Sequence, residues 1–210
     1  MSQKRSRNNW IFGLLALAVL VFVALRQLAQ PPDTVQTGIA RAAALGGFTF
    51  IFLAILSSAY MQPLVRIFGR QFVKVHHVVS ITGLVLITIH PLTLAWANGG
   101  LNLGLFRPLF TSWPVFWMLA GRPAWWLLML AALAAILRGT LGRSWRMVHA
   151  LNYAALIMGA VHANMQSLTD EVLPVRILLV IMAAIAILVF VQRRWEDWQR
   201  TQRRSARGRA

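Results

Sequence analysis

The sequence predicts an all-α integral membrane protein, a six-transmembrane-helix bundle with both termini cytoplasmic. Three observations predict it. Of 210 residues, 58% are hydrophobic and only 12% are charged, about half the charge of an ordinary soluble domain. Long runs carry no charge at all: residues 42–65 contain no Asp, Glu, Lys or Arg, and about 20 such residues cross a bilayer as a helix. The basic residues that remain are distributed unevenly between the apolar runs, which is a topology signal.

Six spans follow in order, at residues 10–25, 42–61, 77–97, 124–137, 148–165 and 177–191. The first follows Lys4, Arg5 and Arg7, as a signal peptide would. It is long and ends at Arg26 with no small-residue cleavage site, so it reads as a retained helix. Helix breakers fill the connectors: Pro31, Pro32, Pro63, Gly99, Gly100, Pro108, Pro114, Pro123, Gly139, Gly142 and Pro174. The chain thus divides into a basic cytoplasmic N-terminus (1–9), a transmembrane unit (10–191) and a basic cytoplasmic tail (192–210).

Alternating crossings put sixteen of the 21 Lys and Arg residues on one side, among them Arg66, Arg70, Lys74, Arg138, Arg143, Arg146 and seven tail arginines. Only Arg26, Arg41, Arg107, Arg122 and Arg176 fall on the other. The positive-inside rule makes the richer side cytoplasmic, with both termini on it. Tryptophans frame both boundaries: Trp10, Trp145, Trp195 and Trp198 inside, and Trp96, Trp113, Trp117, Trp125 and Trp126 outside. The net charge of +16 is therefore a topology signal and a contact for membrane lipid headgroups, with no nucleic acid implied. The absence of cysteine excludes disulfides and thiolate ligands.

All five histidines belong to two spans. His76, His77 and His90 lie in or at the edge of the third; His149 and His162 belong to the fifth. Ionisable residues inside a bilayer are costly and usually functional, although interface histidines can simply sit in wet headgroups. The spacing favours function. His76 and His90 are 14 residues apart, and His149 and His162 are 13 apart, about 20 Å along a helix axis in each case. Both spans run outward, so His76 lies level with His149 and His90 with His162. Level imidazoles on two helices can hold a haem iron from both axial sides, and here they can do so twice. Fourteen residues bring His76 and His90 to one helical face, whereas thirteen leave His77 and His90 about 140° apart. That favours His76 over His77 as the inner ligand. His149 and His162 carry the same thirteen-residue mismatch and require a kink, a bulge or a tilted approach. Pro91 is expected to bend the third span next to His90. Arg41, Arg66, Arg70 and Arg146 stand at boundaries where haem carboxylates would emerge, and topology alone also explains each. Gly46, Gly47, Gly83 and Gly159 allow close approach of helices or of a flat macrocycle.

The stretches KVHHVVSITGLVLITIHPL and GRSWRMVHALNYAALIMGAVHA resemble the two haem-bearing helices of the ferric reductase-like transmembrane domain family. Trp145, Arg146, His149, Tyr153 and His162 meet the family pattern of a Trp and Arg before a helix-opening His, a Tyr four residues on and a second His thirteen on. The resemblance covers residues 37–191. In size and layout the chain looks most like the haem subunit of the bacterial periplasmic methionine sulfoxide reductase system, although residues 98–123 depart from it. The resemblance implies haem b, two groups held by His76 or His77, His90, His149 and His162; Arg41 and Arg146, by their boundary positions, are further candidate cofactor contacts. It implies electron transfer from a cytoplasmic flavin reductase or membrane quinol to a periplasmic redox partner, a methionine sulfoxide reductase or ferric iron. Flavin is compatible with it, but no residue here argues for flavin.

Such a chain is an oxidoreductase-type electron-transfer subunit that needs partners for turnover, and no catalytic residue is assigned to it. No G-x-G-x-x-G run occurs, so a nicotinamide site of the usual kind is not expected. The alternative reading is a transporter or a proton or metal pathway built on the intramembrane histidines. Such relays usually include intramembrane carboxylates, and Asp33, Asp170, Glu171, Glu196 and Asp197 all lie outside the spans.

Overall fold

The computed structural model describes residues 14, 17–28, 31–100, 103–166 and 173–207. The basic N-terminus, the start of the first apolar run, residues 167–172 with Asp170 and Glu171, and residues 208–210 lie outside the described residues. The described chain is helical, without strands: α1 (Leu17–Leu28), α2 (Val35–Ala59), α3 (Met61–Phe68), α4 (Phe72–Ala97), a 3-10 turn (Leu103–Phe106), α5 (Trp113–Met118), α6 (Gly121–Ile136), α7 (Arg138–Leu141), α8 (Trp145–His149), α9 (Leu151–Gln166) and α10 (Leu173–Arg207). Three of these, α2, α4 and α10, are long and apolar enough to cross a membrane; α1 and α6 are shorter apolar helices. Large apolar side chains stand exposed along them, Leu20, Val85, Ile136 and Leu188 among them. A bilayer is the solvent that suits such a surface.

Helix boundaries differ from the sequence expectation where polar residues are admitted at helix ends. α2 starts at Val35, seven residues before residue 42, because Thr34 caps it: its hydroxyl accepts from the Thr37 N–H at 3.1 Å. α6 starts at Gly121 and carries Pro123 in its first turn, where a missing N–H costs nothing. α10 runs unbroken through the basic tail to Arg207. Hydroxyls within the apolar helices donate to their own backbone, as Thr49 does to Leu45 O at 2.8 Å and Thr93 to Ile89 O at 2.9 Å.

Two antiparallel helix pairs form the bundle. α2 packs along α4, with Gly47 against Ile87 and Gly83 against Ile51. A Cβ at Gly47 would lie 2.8 Å from the Ile87 backbone nitrogen, and one at Gly83 3.1 Å from that of Ile51. These glycines therefore serve backbone-to-backbone helix approach. α6 packs antiparallel to α9, and α10 closes over α9 and α2. The core lies between them, with Phe48, Ile51, Phe52, Ile55, Leu128, Leu156, Leu179 and Met182 at its centre.

Candidate functional site

The two antiparallel pairs set the histidines at two levels. At one end, His90 on α4 and His162 on α9 line the same cavity. At the other, His76 on α4 bonds to Ser57 on α2, and His149 at the end of α8 to Ala131 on α6. Of the two pairs expected from spacing, His90 and His162 thus share one cavity.

Each of these four imidazoles is held through Nδ1. His90 Nδ1 donates to Ala40 O at 3.0 Å, His149 Nδ1 to Ala131 O at 3.0 Å, and His162 Nδ1 to Met118 O at 2.6 Å. His76 Nδ1 meets Ser57 Oγ at 2.9 Å. The Ser57 hydroxyl spends its proton on Ala54 O at 2.9 Å, so its oxygen accepts from Nδ1–H. A carbonyl cannot donate, so the proton sits on Nδ1 in all four rings, and the Nε2 lone pair is the group each ring has to offer. A metal-ligating histidine uses this arrangement: the second-shell acceptor fixes the tautomer and the ring plane, and makes Nε2 more basic.

His77 differs. It is exposed, whereas His76 is half-buried. Among the described residues its ring contact is with the His76 ring, at 5.8 Å between centroids.

A break in the helix separates His149 from His162. α8 ends at His149, Ala150 is a turn, and α9 begins at Leu151. The Tyr153 N–H bonds back three residues to Ala150 O at 3.1 Å, a 3-10 step. Such a step turns the chain about 120° per residue where an α-helix turns about 100°, so it advances the phase of everything after it. α4, by contrast, carries His76 and His90 on one continuous helix, with Pro91 inside it.

Between His90 and His162 lies a cavity of about 290 Å³. Its walls are apolar, from Phe48, Ile87, Leu94, Leu128 and Leu156, with Gly159 beside Phe48. Its rim is built by residues 103–125. Leu105 and Phe106 close over it, Phe106 packs edge-on to Trp125 at 4.7 Å, and the Trp125 indole donates to Thr88 Oγ1 at 3.0 Å. The charged side chain on the lining is Arg122. Its guanidinium donates to Gly104 O at 3.3 Å and Arg107 O at 3.2 Å, pinning the rim in place. Such a space suits an apolar ligand with an anionic edge facing Arg122.

Three residues essential to this geometry escaped the sequence reading. Gly121 is one: a Cβ there would stand 2.8 Å from His162 Cδ2 and 2.9 Å from Nε2, so the ring occupies the space a side chain would take. Gly121 lay in the connector before the span expected at residues 124–137. Arg122, counted as a topology charge, is the second, and Ser57 the third. Arg41 and Arg146 do not line the cavity. Arg41 follows Ala40, whose carbonyl holds His90; Arg146 lies 6.0 Å from the Trp145 ring centroid, and that ring packs on His149 at 5.5 Å. Tyr153 packs α9 on α10 through Phe190, 5.0 Å between centroids.

At the His76 end a second hollow of about 300 Å³ opens between α2, α3 and α4, lined by Leu53, Leu56, Ser57, Tyr60, Leu64, Phe72, Val75 and Val79. Among the described residues, no three or more His, Cys, Asp or Glu side chains gather into a metal-ion site. Comparison with family models, with curated proteins and with solved structures gives no significant match.

Proposed function

We propose that this chain is a six-span haem b protein of a bacterial inner membrane, with both termini cytoplasmic, that passes electrons across the membrane. The observation that carries the reading is the set of four Nδ1–H donors, which leaves Nε2 as the nitrogen each ring can offer to a metal. His90 and His162 would hold the outer group, and its fit is supported by the apolar cavity and by Arg122 at its rim. His76 and His149 would hold the inner one, supported by the donor arrangement alone. Asn152 Nδ2 stands 3.4 Å from His149 Nε2, a long contact that ligation would replace.

When bound, haem supplies one-electron uptake and release. The chain's own residues do the rest. His90 with His162, and His76 with His149, would hold the two groups, and a site filled by two histidines suits electron transfer over oxygen binding. The low-dielectric walls around Phe48, Leu128 and Leu156 exclude water from the path. The 14 residues from His76 to His90 set the two levels about 20 Å apart along α4. The ferric reductase-like resemblance supports the same reading and proposes the partners: a cytoplasmic flavin reductase or quinol as donor, and a periplasmic methionine sulfoxide reductase or ferric iron as acceptor.

Protein purified from haem-sufficient cells is expected to be red, with a low-spin b-type spectrum and two haems per chain by pyridine haemochrome assay. A colourless preparation would end the proposal. The same material is expected to stay oxidised when mixed with NADH or NADPH alone, because the chain offers no glycine-rich nucleotide turn. Adding a flavin reductase or quinol should bring up the reduced absorption bands; rapid reduction by the nucleotide alone would show that this expectation is wrong.

A further inference from the structure

α10 is 35 residues long, about 52 Å at 1.5 Å per residue, whereas a whole bilayer with headgroups is about 40–45 Å thick. Its apolar part ends at Val191, and the remainder continues as the same helix. The face that α10 turns to the bundle carries Leu179, Met182, Ala186 and Val189, all buried. Continuing that spacing of three and four residues beyond the apolar part gives Arg193, Glu196, Arg200 and Arg203. The seam that packs on the bundle therefore runs on into a charged stripe on the same side of the helix.

The root of this stripe is fixed over the bundle end that holds His76 and His149. Tyr60 OH donates to Gln192 Oε1 at 3.1 Å, and the Arg193 guanidinium lies 4.8 Å from the Tyr60 ring centroid. Glu196 is answered within the helix by Arg193 at 2.9 Å and Arg200 at 3.8 Å. Arg66, Arg70, Lys74, Arg138, Arg143 and Arg146, all exposed, belong to the same end. Among the described residues the acids there are Glu196 and Asp197.

We infer that this arginine stripe and the basic end beneath it dock a soluble protein with an acidic face. Anionic lipid fits less well. Arg200 and Arg203 lie nine and twelve residues past Val191, about 13 to 18 Å up the helix, whereas a headgroup layer adds only about 5–8 Å beyond the hydrocarbon. Trp195 and Trp198, exposed and 5.0 Å apart, follow the exposed Leu188 and Val191 instead, so the lipid-facing side of α10 is a different side. A second copy of the chain would meet like charge along the seam. That the docked protein is the electron donor rests on the proposed function; the surface does not.

The test uses full-length protein in nanodiscs of neutral phosphatidylcholine, titrated with flavodoxin as an acidic electron-carrying probe at 20 and 200 mM salt. Wild type is expected to bind, and to bind more weakly at the higher salt. Arg200→Glu with Arg203→Glu should weaken binding at least tenfold at low salt. Arg194→Glu, about 120° round the helix from Arg200, should cost less than threefold. Helix content by circular dichroism and haem content should not change in any variant. No binding at low salt, an equal loss from Arg194→Glu, or a seam effect confined to attachment to phosphatidylglycerol vesicles would overturn the inference. Colourless protein that still binds the probe would sink the haem reading alone, and red protein that ignores it would sink the docking surface alone.

Discussion

Gly121→Val is expected to remove the outer haem as fully as His162→Ala does, although position 121 offers no ligand. In His162→Ala the loss is direct, because Nε2 is gone. In Gly121→Val the added Cβ would sit 2.8 Å from His162 Cδ2, inside van der Waals contact, and the two methyls would crowd the ring further. The ring cannot yield freely. Its Nδ1 is held by Met118 O at 2.6 Å, and Gln166 Nε2 also reaches Met118 O at 3.3 Å. Overpacking of this kind costs about 1–3 kcal/mol, and relieving it means giving up either the Nδ1 bond or the aim of Nε2. Both variants should fall from two haems per chain to one, with helix content unchanged. Gly121→Ala should give partial occupancy. A Gly121→Val protein that keeps two haems would show that His162 is placed by something other than this contact.

How much of this was legible in the sequence depends on the kind of signal. Helix content and the apolar runs were legible because hydrophobicity is carried by side chains, residue by residue. The separation of histidines along one helix was legible too, because a helix rise of about 1.5 Å per residue converts spacing directly into height. The phase of His149 was legible only as a problem: thirteen residues did not fit, and nothing in Val148, Ala150 or Leu151 marks the break at Ala150 in the way a proline or glycine would. The acceptors were not legible at all. Ala40, Ala131 and Met118 act through main-chain carbonyls, which every residue has, so only the fold reveals which one faces a ring. Arg122 was visible as a charge but not as a rim residue, because the turn at residues 103–106 that it pins is set by contacts across some 18 positions. The tail was read by its charge, and its helix was missed. Glu196 with Arg193 and Arg200, at i,i+3 and i,i+4, was the pattern that marked it.

His76→Ala is expected to remove the inner haem, while His77→Ala leaves both in place. Adjacent histidines on one helix are about 100° apart, so they cannot serve the same axial position without a distortion of α4, and α4 is continuous from Phe72 to Ala97. Of the two rings, His76 shares a face with His90 and has Nδ1 committed to Ser57 at 2.9 Å. His77 is exposed on the neighbouring face. Ser57→Ala supplies the intermediate case. It leaves the ligand but deletes the acceptor that fixes its tautomer, and second-shell losses of this kind typically cost about 10–100-fold in metal affinity. Haem content after dilution and gel filtration should therefore rank His77→Ala with wild type, then Ser57→Ala, then His76→Ala at one haem per chain. His149→Ala should match His76→Ala, because the two rings would hold one iron between them. If His77→Ala loses the inner haem and His76→Ala keeps it, the ligand is His77, and α4 must unwind between its first turn and His90 to bring that ring round to His149.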